Sequence, residues 1–517
     1  MLTRNRWRYA AGTLTLALAA GLLAGGCNRL ALEAVDQADL LEVDVDEAPD
    51  VVVPAGFRAV QVAEGFTYPS SIDWDDRGRL FVLESHSVPI PGMAPRIFRV
   101  DGRAIEPVEL AGPDAPSGGV AVGLVFHDGW LYLSHEQEDG SWAISRVRPE
   151  GGRVEPVFRG MPPLGDHWIN YLVFDDGGNL YFGVGSATNS GVVSSHDPVN
   201  NKWLAKRPRV ADLPCRDLVL TGLAFEDDDA LTDAEGDRAT TGAYQPYGES
   251  GATRVMAAPL CTGSLYRLAP GATAPELVAW GFRNPVALAI TADGEVLVGM
   301  HGADIRSTRP IRDDPDAIYR VREGAWYGWP DYAADLRPVT DARYRPPAEY
   351  LPPGHDGIGF VVDLAASGLE PPDRSLLIAA TAPHAALGGM DVVPEGGPFA
   401  RWAGMLLVSE MGDFRPVTDP VAPEVKAGFQ VEVIDLATGR RETFARNRGD
   451  GAPRPASEMD LEDAFERPVD VKIGPDGMVY VLDFGVFDPT MEAGRVLPKT
   501  GRVFRIEPLP AGGGGAR

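Results

Sequence analysis

The chain has 517 residues, 44% of them hydrophobic and 23% charged, which is enough apolar content for a large buried core and excludes wholesale disorder. Its 60 glycines and 45 prolines favour many tight turns and an all-β architecture, and argue against helical bundles, coiled coils and multi-span membrane proteins. A formal charge of −27 repels phosphate backbones and no Lys/Arg-rich run offsets it, so nucleic acid is excluded as a partner.

At the N-terminus, Arg4, Arg6 and Arg8 precede an apolar run from Ala10 to Leu23 that is short for a transmembrane helix. Residues 1–26 therefore read as a signal peptide. The run ends in Leu23-Ala24-Gly25-Gly26-Cys27, which resembles a bacterial lipobox. Cys27 is the expected lipidation site, and the protein is expected in a bacterial cell envelope, touching the membrane through its lipid only; plain secretion is the alternative. Residues 27–50 are acidic and lack a strand pattern, so they read as a tether, and 511–517 as a flexible tail. With Cys27 assigned to the anchor, Cys215 and Cys261 remain, and an even pair in an exported chain is expected to form a disulfide.

From residue 51 onward one pattern recurs: an apolar run, a turn with Asp or Gly, and a second apolar run. It occupies Ser71–Ser85, Gly123–His135, Tyr171–Ser186, Ala287–Gly302, Met390–Gly412 and Asp470–Gly485. Each reads as a β-hairpin, because Asp-Gly tolerates the positive φ of tight turns. After each hairpin comes a further strand, usually with one arginine: Arg96–Val100, Ala143–Val147, Ser264–Leu268, Ala317–Val321, Gln430–Ile434 and Arg502–Ile506. Six such units predict a six-bladed β-propeller over residues 51–510, its first and last strands closing the ring. Two long stretches, about Ser190–Gly263 and Ala303–Ala380, are predicted as loop insertions on one face, where binding sites usually sit.

Within this frame, Trp280-Gly281-Phe282-Arg283-Asn284-Pro285 and Tyr327-Gly328-Trp329-Pro330 resemble the glucose/sorbosone dehydrogenase family. Asp166-His167 with the following hairpin, and Arg467-Pro468-Val469-Asp470-Val471, resemble two further blades of that family. The resemblance implies a six-bladed propeller that binds pyrroloquinoline quinone (PQQ) and calcium and oxidises a sugar hydroxyl by hydride transfer to the quinone. It implies His167 as the catalytic base beside Asp166, and Arg283, Asn284 and Arg467 as cofactor contacts. It places His301 and Gly302 in the calcium loop, where His301-Gly302-Ala303 stands for the family's Gln-Gly-Pro. A lysine of the family pattern is missing near Gly412, and its second last-blade arginine is Val469 here. With no Cys-x-x-Cys-His for haem, electrons would pass to a separate acceptor. The other reading is a non-catalytic propeller that binds a glycan or an envelope protein through its loop face.

Glu226–Asp237 is acidic but lacks EF-hand spacing, and reads as a solvated loop. Asp435-Leu436-Ala437-Thr438-Gly439 reads as a hairpin turn. Trp326, Trp329 and Tyr332 are either a sugar-stacking platform or packing between blades.

Overall fold

Each of the six apolar–turn–apolar repeats folds as an antiparallel hairpin, with the Asp-Gly turns doing what their chemistry predicts. In the first, Gly78 takes φ 73° and its amide donates to the Asp75 carbonyl. The computed structural model describes residues 41–510 apart from 43–45, 86–92, 103, 118, 196–200, 233, 235, 353, 417, 420–425 and 489–494. The segments expected to be a signal peptide and a flexible tail, Cys27, and most of the expected tether fall outside the described residues.

The six hairpins begin with the strands Pro69–Trp74, Ala121–His127, Ile169–Phe174, Asn284–Ile290, Leu387–Val392 and Pro468–Ile473. These are the inner strands of six blades, and each blade is an antiparallel sheet with at least four strands. The expected six-bladed propeller is the observed fold. The arginine that marks the third strand has a structural reason in blades 1 to 3. Arg99, Arg146 and Arg267 each stand directly opposite a glutamate of the fourth strand, Glu106, Glu155 and Glu276, and pair with it. Such half-exposed cross-strand pairs contribute roughly 0.2–1 kcal/mol each and help fix register.

Neighbouring inner strands are latched by aspartates. Asp73 accepts the Phe126 amide at 2.7 Å, Asp391 the Ile473 amide at 2.9 Å and Asp470 the Ile72 amide at 3.0 Å, joining blades 1–2, 5–6 and 6–1. Tyr171 of blade 3 reaches across the axis, its hydroxyl 2.6 Å and 2.8 Å from the carbonyls of Ser70 and Val469. It separates an upper cavity from a lower one that it also lines. The ring closes as expected: Phe57–Phe66, from the start of the chain, is the outer strand of blade 6 and pairs with Gly501–Pro508. Pairing also begins before residue 51, within the predicted tether. Leu41–Glu42 adds to the edge of blade 1, and Asp46–Glu47 pairs with Val60 and Gln61 on blade 6.

The two insertions are not loose loops. The first holds the short helix Asn201–Lys206, the hairpin Ala224–Asp228/Arg238–Gly242 and the expected Cys215–Cys261 disulfide. The second runs alongside blade 3, with the Trp280 amide donating to the Ala325 carbonyl and the Tyr327 amide to that of Trp280. It then meets the first insertion, where Leu220 bridges Val362. Both stretches carry enough apolar residues, Leu218, Leu220, Phe225, Trp326 and Val361 among them, to bury a core of their own. Beneath it, buried Arg309 pairs with buried Asp331 at 2.7 Å and donates to the carbonyls of Ser190, Pro330 and Gly359. Trp326 and Tyr332 belong to this core, and Trp329 is buried against Tyr244 with its indole directed at the Asn189 carbonyl, so all three pack rather than forming an exposed stacking platform.

Candidate functional site

The starts of the inner strands and the ends of the second strands meet at one mouth of the channel, and the residues there frame a cavity of about 190 Å³. One wall is polar: His167 just before the blade 3 inner strand, Arg283 and Asn284 at the start of blade 4, and His301 at the end of its second strand. The other wall is apolar and aromatic, with Tyr68, Val286, Met411, Phe414, Phe484 and Phe487. His167, Arg283, Asn284 and His301 share this cavity although they come from two blades and distant stretches of sequence. Asp166 and Gly302 line the same cavity.

His167 is 6% exposed, and its Nδ1 lies 2.8 Å from the Ser186 carbonyl oxygen. A carbonyl can only accept, so Nδ1 carries the proton and Nε2 keeps its lone pair. Burial first, and then the positive charges of Arg283 and Arg306, push the His167 pKa well below the usual imidazole value. The ring is neutral at neutral pH, with an unprotonated nitrogen at a cavity, which is the state a general base must start from. Asp166 does not orient it. Its carboxylate accepts from the Trp203 indole at 3.0 Å and pairs with Arg306 at 2.7 Å, so it anchors the loop that carries His167.

A chain of hydrogen bonds ties the polar wall together. Asn170 donates to Asn284 Oδ1 at 2.8 Å, and Asn284 Nδ2 donates to His301 Nδ1 at 3.2 Å. His301 Nε2 then donates to the Leu387 carbonyl at 2.6 Å. Both ring nitrogens of His301 are therefore committed, and its side chain braces blades 4 and 5 rather than offering an imidazole ligand. Gly302 also has a packing reason, because a Cβ there would lie 2.3 Å from the Pro315 carbonyl oxygen, and its amide donates to Asp316 at 2.8 Å. Among the described residues no group of three or more His, Cys, Asp or Glu side chains is arranged to hold a metal ion.

Three residues absent from the sequence reading dominate the electrostatics of the cavity. Asp304 accepts from Arg283 at 3.0 Å and from Arg306 at 3.0 Å, and stands 3.5 Å from His384 Nδ1. His384 also faces Asp419 at 3.3 Å. Burial opposes its charge, but the carboxylates of Asp304 and Asp419 outweigh that and raise its pKa to about 10, with Arg415 opposing them. The cavity thus holds three cations, all paired. A signal for Asp304 and Arg306 was present in His301-Gly302-Ala303-Asp304-Ile305-Arg306, which follows the blade 4 second strand directly.

Arg467 does not join them. It is fully buried, and its guanidinium donates to the carbonyls of Met411, Gly412 and Asp413 while lying over Phe414 at 4.1 Å. The expected cofactor contact is instead a backbone clasp for the turn after the blade 5 second strand, because three carbonyls and the Phe414 and Phe487 rings fill its surroundings.

No family model and no curated protein sequence matches the chain. Solved structures do. The holo form of the pyranose dehydrogenase PQQ domain from Coprinopsis cinerea is 15% identical, over 88% of this chain and 97% of that one, with a TM-score of 0.50. A Trichoderma reesei protein of Carbohydrate-Active Enzymes Family AA12, in its iodide structure, is 14% identical over 90% and 99%, also at 0.50. The PQQ-bound aldose sugar dehydrogenase from Streptomyces coelicolor is 16% identical over 88% and 100%, at 0.46. At such identities the likeness to the first two is one of fold. It agrees with the fold that the Arg283-Asn284 and Asp166-His167 resemblances imply.

Proposed function

We propose that the upper cavity binds a sugar and that His167 takes the proton from one of its hydroxyls, as in a sugar dehydrogenase-like propeller of the cell envelope. The observation that carries this is the His167 tautomer, fixed by the Ser186 carbonyl with Nε2 left for a ligand in the cavity. The fold shared with proteins named as pyranose dehydrogenase and Family AA12 domains supports the reading. Loss of the hydroxyl proton to Nε2 makes the carbon-bound hydrogen a better hydride donor. The aromatic wall of Phe414, Phe484 and Phe487 excludes water on the opposite side. Oxidation further requires a two-electron acceptor.

PQQ itself, with three carboxylates, does not fit the residues present. Arg283, Arg306 and His384 are already neutralised by this chain's own aspartates, and Arg467 is spent on backbone. Near the missing lysine, Gly412 has φ 88° and no space for a side chain, since a Cβ would lie 2.5 Å from the Phe429 ring. The same pairing favours a second reading, a non-catalytic propeller whose cavity holds a glycan unit.

Purified protein offered a panel of aldoses with an artificial dye as acceptor separates the two. Dye reduction that falls by roughly 100-fold or more in His167→Gln, with sugar binding changed only a few-fold, is the expected outcome for a general base. Sugar binding without dye reduction under any acceptor, PQQ and calcium included, leaves the second reading in possession.

A further inference from the structure

Asp304 sits where a ligand's carboxylate would sit. Its Oδ2 takes Arg283 Nη2 and Arg306 Nε, both at 3.0 Å, and its Oδ1 faces His384 Nδ1 at 3.5 Å. These three donors converge on one carboxylate at the cavity wall, which is the geometry of an anion receptor. The receptor is filled from within the chain. Asn189 holds the segment in place, its Oδ1 accepting the Asp304 amide at 3.0 Å and its Nδ2 donating to the Asp304 carbonyl at 2.9 Å. Asp304 is thus fixed at backbone and side chain alike, and all three donors are at most 6% exposed through their side chains.

We infer that Asp304 is the residue that restricts the cavity to neutral ligands, acting as a built-in carboxylate that denies the Arg283–Arg306–His384 cluster to anionic sugars and acidic quinones. This deepens the sugar reading by naming the substrate class as uncharged, but its test does not depend on turnover. An acidic ligand entering the intact cavity would meet cations whose charge is already satisfied, together with the carboxylates of Asp166, Asp304 and Asp316. With the Asp304 carboxylate removed, Arg283 loses its only carboxylate partner among the described residues, while Arg306 keeps Asp166 and His384 keeps Asp419. Buried cations left short of partners take up an anion readily.

The test compares the full chain with Asp304→Ala, Asp304→Asn and Asp139→Asn, the last removing an equal charge from an exposed turn. Binding of PQQ is followed by equilibrium dialysis and absorbance, and melting temperature is followed against added acetate. The two Asp304 variants should bind PQQ roughly tenfold or more tightly than the wild type and Asp139→Asn. Acetate, which replaces the missing side chain, should raise the melting temperature of Asp304→Ala saturably and leave wild type, Asp304→Asn and Asp139→Asn unmoved. Wild type binding PQQ as tightly as Asp304→Asn would overturn the inference. So would a folded Asp304→Ala that gains neither PQQ binding nor a response to acetate. If Asp304→Ala does not fold, Asp304→Asn against wild type decides through PQQ alone. A wild type that binds no sugar while the Asp304 variants gain PQQ would remove the sugar reading and leave this one standing.

Discussion

His167 and Asn284 can share one wall because residue 185 between them has no side chain. A Cβ on Gly185 would stand 2.2 Å from the Cβ of His167 and 2.9 Å from Asn284 Oδ1. The backbone there is tied on, with the Gly185 amide donating to the Trp168 carbonyl at 2.9 Å, so the glycine cannot retreat. Gly185→Ala should therefore push His167 off the Ser186 carbonyl. We expect at least a tenfold loss of dye reduction together with an overpacking cost of roughly 1–3 kcal/mol, seen as a lower melting temperature. Gly177→Ala, at an exposed turn of the same hairpin, is the control and should change neither. Wild-type activity in Gly185→Ala would show that the position of His167 is not what the reaction depends on. The same steric logic explains why neighbouring Asn170 and Asn284 are asparagines. Each must donate through its amide nitrogen, which a carboxylate could not do, and Asn284 also accepts through Oδ1.

At the scale of elements, what was legible in the sequence was whatever is encoded locally. Asp-Gly turns and paired apolar runs specify hairpins within about fifteen residues, so Ser71–Ser85 and Asp470–Gly485 announce their strands without reference to the rest of the chain. The site was legible only as far as single motifs carry it. His167 and Arg283-Asn284 lie at strand starts, and strand starts must lie at a channel mouth. Asp304 and His384 were not visible, because their roles arise from pairing between the blade 4 second-strand end and the segment that opens blade 5. Arg467 misled for the same reason. Its motif is local, but the turn of Met411–Asp413 that absorbs it belongs to another blade. The insertions read as loops because their apolar residues are scattered, and only the meeting of two stretches makes them a core. Within the first insertion the Cys215–Cys261 disulfide closes a separation of 46 residues. In the chain-entropy model that contributes roughly 3–4 kcal/mol. Cys215→Ser with Cys261→Ser should lower the melting temperature of the oxidised protein and make it insensitive to reductant. Non-covalent ties remain, since the Thr262 amide donates to the Leu213 carbonyl and the Ala258 amide to that of Pro214, so the propeller should still assemble. An oxidised wild type melting no higher than the double variant would show that those ties alone hold the insertion.

The propeller is a closed ring of blades, and a ring has a weakest joint. The four main strands of blades 1 to 5 follow one another in the sequence, with only two-residue edges added from the start of the chain, Leu41–Glu42 on blade 1 and Val51–Val52 on blade 5, whereas blade 6 takes its long outer strand, Phe57–Phe66, from the opposite end of the chain. That strand runs along the whole of Gly501–Pro508, and at its margin Arg58 pairs with Glu507 at 2.7 Å. Its buried residues Ala59, Val60, Ala63 and Phe66 pack into the cores on either side, with Ala59 in one cluster and Ala63 and Phe66 in another. Removing it leaves Gly501–Pro508 with an unpaired edge and opens apolar surface between blades, a recipe for edge-to-edge association. It also loosens the site at a distance, because blade 6 supplies Phe484 and Phe487 to the cavity wall. A chain beginning at Thr67 should therefore aggregate or melt well below the full chain. Added peptide of residues 46–66 should restore a single cooperative transition by refilling the gap, in the manner of strand addition to an open sheet edge. Unfolding should be all-or-none in the closed ring, since no blade can leave without exposing the faces of two neighbours. If the chain from Thr67 stays soluble, melts like the full chain and ignores the peptide, the ring does not depend on this joint, and its stability must lie in the aspartate latches between inner strands.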